Sequence, residues 1–143
     1  CGHEDYFKPI IARLGIERLV DLQPASPYAE ALHEICVANG LLLFQAANSN
    51  FQIPAKTYEY LRAGKPILGL LDQAGDSASL LREAGINTIA QIDSRKQIVV
   101  ELQRFIEGVA NNVVRGATPE LTAPYERGKT VEALAKTFEA MVC

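Results

Sequence analysis

Between Ala63 and Leu71 the chain reads AGKPILGLL, a stretch that leaves a polypeptide little freedom. Gly64 offers the left-handed conformation that closes a helix, Lys65 complements the helix's negative end, and Pro66 forbids continuation. The residues that follow, Ile67, Leu68, Leu70 and Leu71, form a run too short for a core helix and without the alternation of a half-exposed strand. They predict a strand covered on both faces. Upstream, Pro54 suits the first position of a helix that runs to Ala63, because its fixed φ is already helical and its missing N–H is one the helix could not use.

The same succession of helix, stop and apolar run recurs along the chain. Tyr6, Phe7, Ile10, Ile11 and Leu14 predict an amphipathic helix ended by Gly15, and Leu19–Leu22 a short strand. Ser26 reads as an N-cap with Pro27 at the first helical position, and Leu32, Ile35 and Cys36 face inward until Gly40. Leu41–Phe44 predicts a second apolar strand, followed by the small polar loop QAANSNFQ. After Leu71, Asp76 or Ser77 caps a helix through Ala84 to Gly85, and Thr88–Ile92 is a fourth strand candidate. Ser94 opens a longer helix with Ile98, Leu102, Phe105, Ile106 and Val109 inward. Residues 110–123 read as a surface connection, and the last helix, about 124–142, carries Val131, Leu134, Ala135, Phe138 and Met141 on one face. Apolar strands alternating with helices predict one α/β domain over residues 1–143, a parallel sheet with helices on both faces. Ligands of such sheets bind beyond the carboxyl ends of the strands, where connections diverge.

Composition narrows the function classes. At 48% apolar, 22% charged and a net charge of −3, with no basic stripe, the sequence does not suggest a nucleic-acid partner. No apolar run approaches membrane-spanning length, and the N-terminus CGHEDYFKPI lacks the pattern of a signal peptide. Lacking an initiator methionine, it reads as a fragment or processed piece. Cys1, Cys36 and Cys143 form neither a disulfide framework nor a metal-binding spacing, which suits a reducing cytoplasm, with Cys36 a small core residue. His3 and His33 show no acid–base or metal pattern, and His33 is expected on an exposed helix face.

The chemistry concentrates near residues 51–59. Ile53 is a poor N-cap, so the first-turn N–H groups after it have no side-chain acceptor from the usual position, and such a terminus is a ready site for an anion. Lys56 in that turn opposes the helix dipole at a cost on the order of 0.3–1 kcal/mol, which a bound diphosphate would offset. Glu59 lies one turn on, on the same side. The plainer reading is a solvated i,i+3 ion pair between the two, worth about 0.2–0.5 kcal/mol.

The stretch IPAKTYEYLRAGKPILGLLDQAGDSASLLREAGI resembles the carboxyl-terminal half of bacterial retaining glycosyltransferases of the GT-B type (the group 1, or family 4-like, enzymes). The likeness extends more weakly from Asp5 to Met141, and IPAK, EYL and AGKPIL are its most specific parts. It implies a Rossmann-like domain that is one half of a GT-B fold and binds a UDP-, GDP- or ADP-sugar, with no further cofactor and no metal, in polysaccharide or cell-envelope glycan synthesis. By that resemblance Glu59 matches the second glutamate of a pair and grips the ribose hydroxyls, as an ionised carboxylate can. Phe51 stands where the first glutamate is expected, so the sugar contact would differ or come from the backbone of Asn48–Gln52. Lys56, with Pro54 and Ala55, falls at the diphosphate; Phe51, Gln52 and Ile53 lead into it; Gln23, in Leu22-Gln23-Pro24, falls near the base. Gly75-Asp76-Ser77 recurs in similar sequences at that edge, or is a helix cap alone. No catalytic residue is assigned.

The family's amino-terminal acceptor domain and the opening strand of its second half have no counterpart in this sequence. The resemblance therefore implies an inactive donor half-site, cytoplasmic or peripheral to the inner membrane face in the full-length enzyme, its sheet with a gap where the fifth strand belongs. Direct pairing of the remaining strands, or a neighbouring chain in a strand-exchanged homodimer, would fill that gap. A phosphorylatable receiver module fits poorly, since Gln45-Ala46-Ala47 follows Phe44 where an aspartate is required. So does a dinucleotide-binding dehydrogenase domain, as no G-x-G-x-x-G follows a strand. A non-catalytic sugar-nucleotide or protein-interaction domain is the stronger alternative, and Phe51 is the residue that favours it.

Overall fold

The computed structural model describes residues 4–142, so Cys1, His3 and Cys143 lie outside the described residues. These residues divide into two units, one through Glu34 and one from Ile35. In the first, α1 (Glu4–Leu14) ends as expected at Gly15, whose φ is +65°. It buries none of its residues, and only Ile10 and Ile11 of its apolar stripe are even half-buried. The strand expected at Leu19–Leu22 does not form. The Ile16 carbonyl accepts from both Leu19 and Val20 N–H, which turns the chain locally, and no strand edge pairs with the segment. α2 (Tyr28–Val37) starts one residue later than predicted, the Pro27 carbonyl accepting from Ala31 N–H.

In the second unit three parallel strands, β1 (Leu41–Phe44), β2 (Ile67–Leu71) and β3 (Ile89–Gln91), lie in the order β1-β2-β3. Leu41 pairs with Ile67 and Gly69 with Ile89. This is a Rossmann-like α/β layer structure, as the alternating pattern predicts. α3 (Ala55–Ala63) and α4 (Asp76–Glu83) connect successive strands and share one face, as right-handed crossovers moving in one direction require. Leu61, Leu81 and Ala84 there pack on Leu41, Leu43, Ile67 and Leu71. α5 (Arg95–Ala110) covers the other face, its Phe105 against Leu68, Leu70 and Ala90. β2 is buried throughout, as expected of a central strand with helices on both sides.

β1 departs from the expectation of a strand covered on both faces. Leu41 and Leu43 are buried, but Leu42 and Phe44 are exposed on the α5 side. α5 reaches only the start of β1, where its Phe105 ring sits so close to Gly40 that an added Cβ would lie 2.8 Å away. Leu102 and Ile106, expected inward, are exposed for the same reason. Cys36, expected in the core, is exposed while its neighbour Ile35 packs inward.

Residues 110–123 are not a plain surface connection. Val114 packs on the α5 face and Ala117 is buried on the other, so the chain crosses the foot of the sheet between them. There Gly116 lies against Gly64 and Lys65. The chain continues through α6 (Pro119–Thr122) and a short 3-10 turn, Ala123–Tyr125. The Tyr125 hydroxyl donates to Glu83 at 2.8 Å and its ring tilts against Tyr58. Burial, then the Glu83 carboxylate, push that phenol's pKa up. α7 (Arg127–Val142) carries Val131, Leu134, Phe138 and Met141 exposed. Among the described residues no helix is long and apolar enough to cross a membrane.

Candidate functional site

The loops after β1 and β2 and the start of α3 gather at the carboxyl edge of the sheet, where the strand pattern put them. Gln45 builds the first loop. Its side chain is buried at the end of β1, and its amide donates to the carbonyls of Ser49 and Gln52, closing a 3-10 turn at Ala47–Ser49. No local sequence signal marked that role; a glutamine directly after an apolar strand was the only hint.

Asn50 ties this loop to the next. Its carbonyl accepts from Asp76 N–H at 3.0 Å and its side-chain amide donates to Asp72. Asp72 also accepts from Ala74 N–H. The Ala74 N–H first, then the Asn50 amide, hold the Asp72 carboxyl below its ordinary value, against a partial desolvation that works the other way. Gly75 lies beside this clasp, its Cα facing the Asp72 and Asn50 carbonyl oxygens.

Pro54 is the N-cap of α3 and not its first helical residue; its φ of −59° and ψ of 139° are extended, and its carbonyl accepts from Thr57 N–H. Proline has no capping side chain. The terminus is therefore uncapped by any side chain, as expected from sequence, though Pro54 and not Ile53 is the reason. The N–H groups of Ala55 and Lys56 have no intrahelical partner by the geometry of any helix start. The Lys56 side chain is exposed at this turn and Glu59 is half-buried one turn on. Ile53 packs on the core, and Ala55 is exposed. Phe51, at 92% exposure, stands out in the turn before it, and Gln52 is exposed beside it. Gln23 belongs to the first unit, exposed and donating to Asp21.

Two buried hydroxyls, Thr57 Oγ1 in the first turn of α3 and Ser77 Oγ in the first turn of α4, have no hydrogen-bond partner among the described residues. Neither Asp76 nor Ser77 caps α4; Gly75 occupies that position.

The connections diverge to opposite faces between β2 and β3, where a parallel sheet ordinarily opens a ligand crevice. Here glutamines bridge it. Gln73 N–H donates to Gln91 Oε1, and Gln97 Oε1 accepts from the Gln73 side chain and from Gln91 N–H. Beside them lies an open cavity of about 470 Å³ reaching Ser94, Lys96 and Glu101. Among the described residues no group of three or more His, Cys, Asp or Glu side chains is arranged to hold a metal ion. Comparison with protein-family models, with curated proteins and with solved structures gave no match.

Proposed function

We propose that this chain is the donor-binding half of a retaining glycosyltransferase, and that a nucleoside diphosphate of an activated sugar docks at the start of α3. The observation that carries the reading is a helix start without a side-chain cap, with an exposed Lys56, at the carboxyl edge of a parallel sheet. Peptide N–H groups and an ammonium there favour a pyrophosphate, since both the helix dipole and the full charge attract it. In the transfer reaction negative charge grows on the departing diphosphate, and these groups would stabilise it electrostatically without moving a proton. Glu59, one turn further along the helix, accepts the ribose hydroxyls. The full transfer reaction also requires a domain that binds the acceptor.

One observation favours a second reading. Phe51 stands fully in solvent where the resemblance calls for a sugar-binding carboxylate, which suits a domain that keeps the nucleotide site without the chemistry.

Calorimetric titration with UDP, GDP and ADP tests the proposal. We expect one of them to bind, and Lys56→Ala and Glu59→Ala each to weaken it about 5- to 10-fold, the loss of roughly 1–1.4 kcal/mol. Affinity unchanged in both variants, or no binding of any of the three, sinks it.

A further inference from the structure

We infer that Gln45 is a positioning residue for the nucleotide: without touching the ligand, it holds the loop before α3 in the arrangement that leaves the helix start open to a diphosphate. The inference rests on the donor reading above and extends it to a residue outside the contact surface.

The period of β1 puts Gln45 where it can do this. Leu41, Leu43 and Gln45 are buried while Leu42 and Phe44 are not, so the glutamine continues the strand face that α3 and α4 cover. Its own N–H donates to the Leu70 carbonyl at 3.0 Å, the last rung of the ladder, which fixes its backbone. A primary amide that gives up water on an apolar face must meet fixed acceptors. Gln45 Nε2 carries two hydrogens and has two carbonyls before it, that of Ser49 at 2.6 Å and that of Gln52.

The loop has little apolar anchorage. None of residues 46–52 is buried, and Phe51, their one large apolar side chain, stands in solvent. Its order therefore comes from polar tethers. Asn50 ties the middle of the loop to Asp72 through its side chain and to Asp76 N–H through its carbonyl. Gln45 holds the exit. The pinned Gln52 carbonyl is followed by Ile53, whose side chain packs on the core, and by Pro54, whose ring keeps φ at −59°. Between that carbonyl and the N–H groups of Ala55 and Lys56 the backbone has few dihedrals free to vary. Released at Gln52, the exposed loop would move over the helix start and cover it for part of the time. A site competent about a tenth of the time binds its ligand about 10-fold more weakly.

Gln45→Met tests this, since it keeps the length of the side chain and removes both donors. Calorimetry on the unaltered protein first identifies which of UDP, GDP and ADP binds. With that nucleotide we expect the variant to bind about 10-fold more weakly. Amide exchange of Ser49 and Gln52, whose N–H groups donate within the loop, should accelerate. Exchange of Gly69, whose N–H donates to Thr88 inside the sheet, should not change, whereas a general loss of stability would move it with the loop. Should Gln45→Met fail to fold, Gln45→Asn keeps the amide and draws it back by one methylene, and the same three results are required of it. Unchanged affinity despite a faster loop, or unchanged exchange at Ser49 and Gln52, overturns the inference and leaves the donor reading standing. Acceleration of Gly69 in both variants overturns it in favour of a glutamine that serves only the fold. An unaltered protein that binds none of the three nucleotides sinks the donor reading and this inference with it.

Discussion

Thr57 and Ser77 illustrate what a single position can carry unseen. Each is almost fully buried, and neither hydroxyl has a hydrogen-bond partner among the described residues. A buried hydroxyl without a bond costs about 1–3 kcal/mol relative to an apolar group of like shape. Thr57→Val should therefore raise stability by about 1 kcal/mol in urea unfolding, since valine and threonine have similar helix propensities. A loss of stability would mean that the hydroxyl does have a partner. Lys56 and Glu59 differ in kind: spacing put both on one helix, and in α3 Lys56 is exposed in the first turn and Glu59 half-buried one turn on. Cys36 shows the limit of spacing, because helical periodicity gave it the same face as Leu32 and Ile35, yet it lies just outside the arc that the sheet covers.

At the scale of elements, the clasp between the two carboxyl-edge loops depends on one carboxylate. Asp72 holds Ala74 N–H and the Asn50 amide, and its folded pKa lies below its ordinary value of 3.8. A depressed carboxylate contributes stability that is present above the unfolded pKa and is lost as pH falls through the folded one. An NMR titration of the Asp72 carboxyl carbon should give a midpoint below 3.8, with exchange in residues 47–52 and 72–76 rising as that midpoint is passed. A midpoint at or above that value would dissolve the clasp. Helix boundaries were mostly legible, because Gly15, Gly64, Gly85 and Ser94 act through local backbone conformation or a single cap bond. The α4 cap was not, since Gly75, and neither Asp76 nor Ser77, occupies it, in a loop fixed by Asn50, a neighbour distant in sequence.

For the whole molecule, the crossing at Gly116 joins the two faces of the sheet. A Cβ on that residue would meet the Gly64 carbonyl oxygen at 2.1 Å, a backbone atom that cannot turn aside. Gly116→Ala should cost about 3 kcal/mol or more in urea unfolding, and a cost under about 1 kcal/mol would show that the two segments are free to separate. That contact was invisible in a stretch without periodicity, which is why residues 110–123 read as a surface connection. The sequence by itself determined the class of fold, the buried β2 and the positions of α3, α4 and α5, because apolar period and helix stops act within a few residues. Only the tertiary structure decided that Leu19–Leu22 is not a strand, that Leu42, Phe44 and Ile106 stay in solvent, and that glutamines bridge the loops between β2 and β3. Strand pairing, burial and side-chain networks each need a partner remote in the chain, and hydrophobicity alone does not say whether that partner is there.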